Sequence, residues 1–299
     1  MKEIDVHQVD AFTDQLFGGN PAGIVTNADI LADEEMQKIA REMNLSETAF
    51  VLAPSSEEAD TRLRFFTPNE EVRFCGHATV GALFQLATLN RFNLGEPGDN
   101  HVRVETKAGI LPMTVSNRHG RSEITFMAPK LDITPYRLQS ADFAEAFGVP
   151  AALIETDGTI LLDKNLNYVY VPATSLALLG EQAFDFGRIR DQFGEEKIVV
   201  FCFFSKETVD ATADLHARGL APNVGVDEDP FTGSMQAGLM YAAQHNGYVY
   251  PGKSSIVTEQ GHYIGRPGSA QVNWDNRAGC FSVTAGAKAV FSTTMELPS

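Results

Sequence analysis

Residues 75–82 read Cys-Gly-His-Ala-Thr-Val-Gly-Ala, and residues 232–239 read Thr-Gly-Ser-Met-Gln-Ala-Gly-Leu. The two stretches align without a gap: in each, two glycines stand five positions apart, a polar side chain follows the first glycine and an apolar stretch follows the second. An acidic loop with a proline precedes each stretch, at 68–71 and at 227–230. Because the stretches lie in opposite halves of a 299-residue chain, they predict two related halves whose buried helices point toward a shared cleft.

The first glycine of each stretch, Gly76 or Gly233, lets the backbone turn tightly where a helix begins. The first N–H groups of that helix then remain available to bind an anion. The alternative is that small residues at these positions only allow close packing of helix on sheet, and neither stretch alone decides between the two. A nucleotide-binding phosphate loop is excluded, because Lys-Ser or Lys-Thr does not follow either second glycine.

The length of the chain predicts about two domains, since 299 residues are more than one hydrophobic core usually serves. Strand and helix patterns interleave without regular β-α-β spacing, which favours an α+β fold with mixed sheets over a doubly wound parallel fold. A change of composition at 128–132 places the boundary within 117–135. We assign 1–120 to the first half, to which the last strand at 285–299 can belong, and 121–284 to the second.

Charge and cysteine content restrict the partners and the compartment. The chain has 23 Lys and Arg against 39 Asp and Glu, a formal charge of −16, which repels the phosphates of nucleic acids. The N-terminus lacks the apolar run of a signal peptide, and no segment approaches the ~18 apolar residues of a membrane span. Three cysteines do not make a disulfide framework. We expect a cytoplasmic protein that binds neither nucleic acid nor membrane.

Glu47 lies in the stretch 44–51, Asn-Leu-Ser-Glu-Thr-Ala-Phe-Val. The alternation of a strand places it on one face with Leu45, Ala49 and Val51. A carboxyl among apolar neighbours is costly to ionise, which suits a group that both takes and gives a proton. The alternative is a glutamate at a strand edge that caps neighbouring backbone, and the pattern leaves both open.

Two further side chains are candidates for acid–base chemistry. His77 lies just inside a predicted helix N-terminus, where the neutral imidazole is favoured and can donate one hydrogen bond while accepting another. Asp229 precedes Pro230, which disfavours helical geometry and leaves the carboxylate in a loop, where it can hold a hydroxyl or a histidine. Ordinary structural roles, a helix-start histidine and a capping aspartate, are the alternatives.

The sequence predicts no metal site and no bound cofactor. Cys75-x-His77 is a single close pair without a matching second pair, and H-E-x-x-H is absent from the sequence. The G-x-S-x-G turn of serine hydrolases and the G-x-G-x-x-G turn of dinucleotide sites are also absent.

Seven segments, in chain order, carry a resemblance to a known family: Asp10-Ala11-Phe12-Thr13, Gly19-Asn20-Pro21-Ala22-Gly23, Asn44-Leu45-Ser46-Glu47-Thr48-Ala49-Phe50, Phe65-Phe66-Thr67-Pro68 with Glu71-Val72, Cys75-Gly76-His77-Ala78-Thr79, Glu228-Asp229-Pro230-Phe231-Thr232-Gly233-Ser234, and Glu259-Gln260-Gly261 with Gly265-Arg266-Pro267. Together they resemble the phenazine-biosynthesis isomerase (PhzF-like) family, within the diaminopimelate-epimerase-like fold. The resemblance runs nearly end to end.

The resemblance implies two pseudo-symmetric domains, each a mixed sheet curled around a central helix, with the active site between them and commonly a homodimer. It implies that Glu47 shuttles a proton between carbons of a small unsaturated carboxylic acid. The residues matching His77 and Asp229 position the polar groups of the substrate, and those matching Gly233 and Ser234 bind its carboxylate. We add Asn20 and Gly76 as substrate-binding candidates, so the predicted catalytic set is Glu47, His77 and Asp229.

Relatives of this fold that racemise amino acids use two thiols, one from each half. Here Cys75 occupies the first position, but the aligned residue of the second stretch is Thr232. A one-carboxylate isomerase is therefore preferred, and the alternatives are a racemase that uses Cys75 and a non-catalytic small-molecule-binding protein of the same fold. Phe231 stands where the family usually has a small residue, and Met235 and Gln236 are also larger than usual. The pocket is therefore expected to be narrower or differently shaped, and the particular substrate stays open.

Overall fold

The computed structural model describes residues 2–297. The chain divides into two compact units, one of residues 2–127 with 284–297 and one of residues 128–283. The first unit thus extends to residue 127, where the sequence placed the end of the first half at 120. The reason is that residues 121–127 form a strand that pairs with the strand before it, and so remain with that unit.

The first unit contains eight complete strands, two α-helices and most of the last strand. Its strands are β1 (Lys2–Ala11), β2 (Asn20–Val25), β3 (Glu47–Leu52), β4 (Thr61–Phe66), β5 (Glu71–Val72), β6 (Gly98–Thr106), β7 (Gly109–Arg118) and β8 (Arg121–Met127), and its helices are α1 (Asp33–Met43) and α2 (Gly76–Thr88). The last strand, β17 (Cys280–Leu297), contributes residues 284–297. Pairings β2–β3 and β4–β6 are parallel, whereas β1–β2, β1–β17, β3–β4, β6–β7 and β7–β8 are antiparallel.

Local residues account for both ends of helix α1. It begins at Asp33, and its apolar residues Met36 and Ile39 are buried in a cluster that includes Phe50. Asn44 ends the helix in the left-handed conformation, with φ of 51°, which asparagine tolerates better than most residues. The buried stripe, rather than intrinsic propensity, holds α1 against the sheet.

Helix α2 is buried along most of its length, because its sequence is apolar on nearly all sides. A Cβ on Gly81 would lie 3.3 Å from Ile24 Cδ1 and 3.5 Å from Val9 Cβ. Gly81 therefore permits the close approach of α2 to β1 and β2, and these strands fix the position at which the helix begins.

The second unit contains eight complete strands and four α-helices. Its strands are β9 (Ile133–Pro135), β10 (Leu161–Asp163), β11 (Tyr168–Pro172), β12 (Val200–Ser205), β13 (Leu215–Ala221), β14 (Val226–Asp229), β15 (Ser255–Gln260) and β16 (Gly268–Asp275), and its helices are α3 (Ser140–Phe147), α4 (Leu176–Glu181), α5 (Phe186–Phe193) and α6 (Gln236–His245). Pairings β11–β12 and β13–β15 are parallel, and β9–β10, β10–β11, β12–β13, β13–β14 and β15–β16 are antiparallel.

Helix α6 is buried over most of its length and packs closely on β11. A Cβ on Gly238 would lie 2.0 Å from the Tyr170 hydroxyl oxygen, so a glycine is required where the helix crosses this ring. A separate cluster of phenylalanines, including Phe143, Phe147 and Phe201, fills the core around α3 and α5.

Both units mix parallel and antiparallel strands, which confirms the predicted mixed-sheet class over a doubly wound one. Pseudo-symmetry of the two halves stays a prediction. Across residues 2–297, the structure contains no helix with the length and apolar character needed to cross a bilayer.

Candidate active site

Glu47 is the first residue of β3, opposite Ala22 of the parallel strand β2. Its side chain is 22% exposed, whereas the following residues of the strand, from Thr48 to Val51, are buried. The carboxyl therefore lies at the point where the strand enters the core, and a ligand can reach it.

His77, the second residue of α2, lies against Glu47. The distance from His77 Nε2 to Glu47 Oε2 is 3.3 Å, and the Ser46 hydroxyl oxygen lies 3.3 Å from the same nitrogen. The imidazole side chain is 9% exposed. The start of β3 and the start of α2 thus bring together two of the predicted catalytic residues, and Ser46 joins them without having been singled out in the sequence.

Cys75 occupies the N-cap position of α2 in extended conformation, with φ of −142° and ψ of 119°. Its Sγ lies 3.4 Å from His77 Nδ1 and 3.8 Å from Nε2. The first turn is fixed because Thr79 donates to the Cys75 carbonyl through both its hydroxyl, at 2.7 Å, and its N–H, at 3.0 Å. One polar atom from each of Glu47, Cys75 and His77, a carboxylate oxygen, the Sγ and a ring nitrogen, lies within 4.8 Å of the other two.

Gly76 and Gly81 differ in how closely an added Cβ atom would approach neighbouring residues. A Cβ on Gly76 would lie 3.8 Å from Phe126 Cζ, which is an ordinary van der Waals contact. Close packing therefore explains why a glycine is present at position 81, the second glycine of the stretch, but not why one is present at position 76. The substrate-binding role of Gly76 stays a prediction.

Asn20 is the first residue of β2 and is almost fully buried. Because Ala22 pairs with Glu47 and side chains alternate along a strand, Asn20 lies on the same face as Glu47, near the same end of the sheet. Gly19 precedes it with φ of +52°, and a Cβ there would lie 2.0 Å from the Ala11 carbonyl oxygen. This glycine fixes the turn that brings Asn20 into the sheet.

Asp229, the third predicted catalytic residue, ends β14 in the second unit. Its carboxylate accepts a hydrogen bond of 2.5 Å from the Thr232 hydroxyl. The buried side chain of Gln260 donates to the Asp229 carbonyl at 2.8 Å and accepts from the Thr232 N–H at 3.2 Å. Gln260 therefore fixes the loop between β14 and α6, a role that the sequence did not reveal.

Gly233 and Ser234 lie in a 3-10 turn, Gly233–Met235, that leads directly into α6. The Ser234 and Tyr168 hydroxyl oxygens are 2.9 Å apart, so a strand residue orients the serine. Phe231 is 1% exposed and Met235 is fully buried. The predicted effect of these bulky residues on the pocket stays a prediction.

A second polar cluster in this unit surrounds Glu259, which is 1% exposed. The carboxylate accepts from the backbone N–H of Val209 at 2.6 Å and of Asp210 at 2.9 Å, and lies 2.7 Å from His216 Nδ1. Burial alone would raise the pKa of Glu259, but the hydrogen bonds from His216 and the two N–H groups outweigh it and lower that pKa below its ordinary value. The carboxylate therefore anchors the loop that follows β12.

Comparison with known proteins identifies the class. The family model described as phenazine biosynthesis-like protein matches residues 9–294. The chain is 32% identical to the uncharacterized isomerase YfhB of Bacillus subtilis, over 98% of each chain. It is 30% identical to the trans-2,3-dihydro-3-hydroxyanthranilate isomerase of Pseudomonas aeruginosa, over 87% of this chain and 86% of the relative. The crystal structure of a PhzF-family protein from Bacillus anthracis superposes with a TM-score of 0.86 at 30% identity, covering 99% of this chain and all of the other.

Fold and relatives define an isomerase of the PhzF type. The chain belongs to the phenazine biosynthesis-like protein family, and the family predicted from the seven segments is confirmed.

Proposed function

We propose that this isomerase moves a proton between carbons of a small carboxylic acid, with Glu47 as the group that takes and returns the proton and no bound cofactor. The observation that carries the proposal is the contact of a reachable Glu47 carboxyl with the His77 imidazole, at 3.3 Å. His77 and Asp229 hold polar groups of the substrate, and Asn20, Gly76, Gly233 and Ser234 bind it.

One carboxyl group is sufficient for both proton transfers. Glu47 as a carboxylate removes a proton from carbon, and the resulting carboxylic acid returns the same proton to a different carbon. The charge that develops on the substrate between these steps is stabilised by hydrogen-bond donors aimed at it, for which the free N–H groups of a helix start are suited. The His77 imidazole beside Glu47 can donate a hydrogen bond to a polar group of the substrate.

The name of one relative supports a chemical class of substrate. The Pseudomonas aeruginosa relative is named for an unsaturated carboxylic acid that bears amino and hydroxyl groups. We propose this chemical class for the present chain, not that particular compound. The enzyme is further expected to be a cytoplasmic homodimer with no nucleic-acid or membrane partner, and the location of the site between the two halves stays a prediction.

Isotope transfer tests the role of Glu47. A candidate acid deuterated at the carbon that loses its proton is incubated in ordinary water, and the product is analysed by NMR. A single-residue shuttle returns part of the deuterium to the product, whereas separate bases on two faces lose all of it to solvent. Glu47→Gln should lower kcat about 10²- to 10⁴-fold, the usual contribution of a general acid–base group.

The matched control is Glu42→Gln, because Glu42 is an exposed glutamate on α1. Its turnover should equal that of the unmodified protein. Undiminished turnover in Glu47→Gln with an authentic substrate would remove Glu47 from this role.

A thiol-dependent racemase is the second candidate, because Cys75 Sγ lies 3.4 Å from His77 Nδ1 in the same cluster. It predicts that Cys75→Ala abolishes turnover while Glu47→Gln does not, the reverse of the first proposal. A non-catalytic binding protein would return every captured acid with unchanged mass and isotope content.

A further inference from the structure

Donor atoms of three kinds converge where α2 begins: the Glu47 carboxylate, the Cys75 thiol and the His77 imidazole. We propose that they form a binding site for a thiophilic divalent cation of the zinc class, and that the bound cation blocks proton transfer. The proposal that the cation binds depends only on the positions of the three side chains. The proposal that it inhibits proton transfer rests on the proposed function, because it requires that Glu47 and His77 take part in that transfer.

The two separations measured from His77 Nε2 are close to the edges of a tetrahedral site. With zinc bonds of ~2.0–2.1 Å to nitrogen, ~2.0–2.2 Å to carboxylate oxygen and ~2.3 Å to sulfur, a tetrahedral nitrogen–oxygen edge is about 3.4 Å and a nitrogen–sulfur edge about 3.6 Å. Here His77 Nε2 lies 3.3 Å from Glu47 Oε2 and 3.8 Å from Cys75 Sγ. The three side chains therefore lie close enough together for one cation to bind all of them once the imidazole turns to aim a ring nitrogen at it.

The cluster of His216, Glu259 and His262 is also a set of metal-binding residue types, but its geometry differs. Glu259 lies 2.7 Å from His216 Nδ1, which is a hydrogen-bond distance and shorter than a tetrahedral edge. The Glu259 oxygens also accept from two backbone N–H groups, and His216 is fully buried. A cation there would have to break these bonds, so we assign this cluster to loop anchoring.

The chemistry of the donors selects the kind of cation. Thiolate and imidazole favour zinc over magnesium or calcium, which prefer oxygen ligands. As the sulfur–metal bond forms, the Cys75 thiol releases its proton to solvent and a metal-bound water departs, and the fourth position remains for water. The carboxylate and the thiolate together balance the charge of a divalent cation, and the net charge of −16 does not oppose its approach.

Binding is tested with Co²⁺, which reports its ligands by absorption. Titration of the metal-free full chain with Co²⁺ should produce a thiolate-to-cobalt charge-transfer band and tetrahedral d–d bands at one equivalent, and Zn²⁺ should abolish both. Cys75→Ser should lose the charge-transfer band and weaken Zn²⁺ binding by more than about 100-fold, since even outer-shell changes cost 10- to 100-fold. Cys280→Ser is the matched control, because Cys280 is a partly buried thiol outside the cluster, and it should keep the band.

Glu47→Gln should keep the charge-transfer band and weaken binding, and its circular dichroism separates loss of a ligand from loss of fold. No charge-transfer band in the unmodified protein, or an undiminished band in a folded Cys75→Ser, would overturn the site.

Inhibition is measured separately, as the ratio of each variant's rate with Zn²⁺ to its own rate after chelation. The unmodified protein should lose turnover at one equivalent of Zn²⁺ and regain it with a chelator, and Cys75→Ser should need far more Zn²⁺. If the cobalt spectrum were normal but turnover did not respond to Zn²⁺, the proposed inhibition by the cation would be overturned, whereas the proposed binding site would stand. If Glu47→Gln proved fully active, the proposed function would fail while the cobalt result stood unaffected.

Discussion

Glu259 is an enclosed carboxylate whose three hydrogen bonds stabilise its ionised form. Its pKa is lowered by these bonds despite burial, so its contribution to stability is fully present above the pKa of the unfolded chain, ~4.3, and is lost as the pH falls through the folded value. The same reasoning does not extend to surface ion pairs such as Lys2 with Glu35, which solvent screens.

Glu259→Gln should lower the free energy of unfolding at pH 7 by about 1–3 kcal/mol, because an amide replaces a carboxylate that accepts several hydrogen bonds. The deficit relative to the unmodified protein should shrink as the pH falls below ~4.3, where the glutamate of the unfolded chain takes up a proton before that of the folded protein does. Urea unfolding followed by circular dichroism at pH 7 and at pH 3.5 measures both. A deficit that is the same at the two pH values would contradict this account of the carboxylate.

At the scale of elements, the two buried helices α2 and α6 both depend on a glycine that faces a strand. Gly81 approaches Ile24, and Gly238 approaches the hydroxyl of Tyr170. Both belong to the aligned stretches, in the position of the second glycine. The packing explanation that the sequence left open for these stretches thus applies to their second glycines.

Gly238→Ala should destabilise the protein by about 1–3 kcal/mol or more, because the new Cβ would overlap the Tyr170 hydroxyl and the ~1 kcal/mol gain in helix propensity is too small to offset it. Gly76→Ala is the paired variant and should change the urea midpoint little, since its Cβ meets Phe126 at an ordinary distance. An equal loss of stability in both variants would show that Gly76 is also a packing residue.

At the scale of the whole molecule, the dominant electrostatic property is the formal charge of −16. Self-repulsion of this charge disfavours the compact state, and salt screens it over ~8–10 Å at ionic strengths of 0.1–0.15 M. Partly buried pairs such as Arg64 with Glu71 are screened much less and should persist in salt.

Raising the NaCl concentration from 10 mM to 500 mM at pH 7 should therefore raise the Tm by a few degrees. At pH 4.8, near the sequence pI, the net charge is close to zero and the same change in salt should have almost no effect. Differential scanning calorimetry at the two pH values separates this screening effect from general salting-out, which would raise the Tm equally at both.

The sequence by itself determined those features that depend on neighbouring residues. The bounds of α1 follow from a local apolar stripe and from Asn44, and the mixed-sheet class follows from the order of short patterns. Family membership follows from short strings that need no structure to be compared. The sequence also placed Glu47 at a strand and His77 at a helix start, but it had no means of measuring the distance between them.

Only the tertiary structure decided which polar side chains lie in the same site, because that depends on contacts between elements that are distant in the chain. The pairing of β2 with β3 and the packing of α2 on β1 and β2 bring Glu47 within 3.3 Å of His77 and add Ser46 and Cys75. In the second unit, Gln260 reaches Asp229 from β15. A search of the sequence for a second close pair of metal ligands could not find Glu47 as the third donor, since the fold, and not sequence spacing, places it beside Cys75.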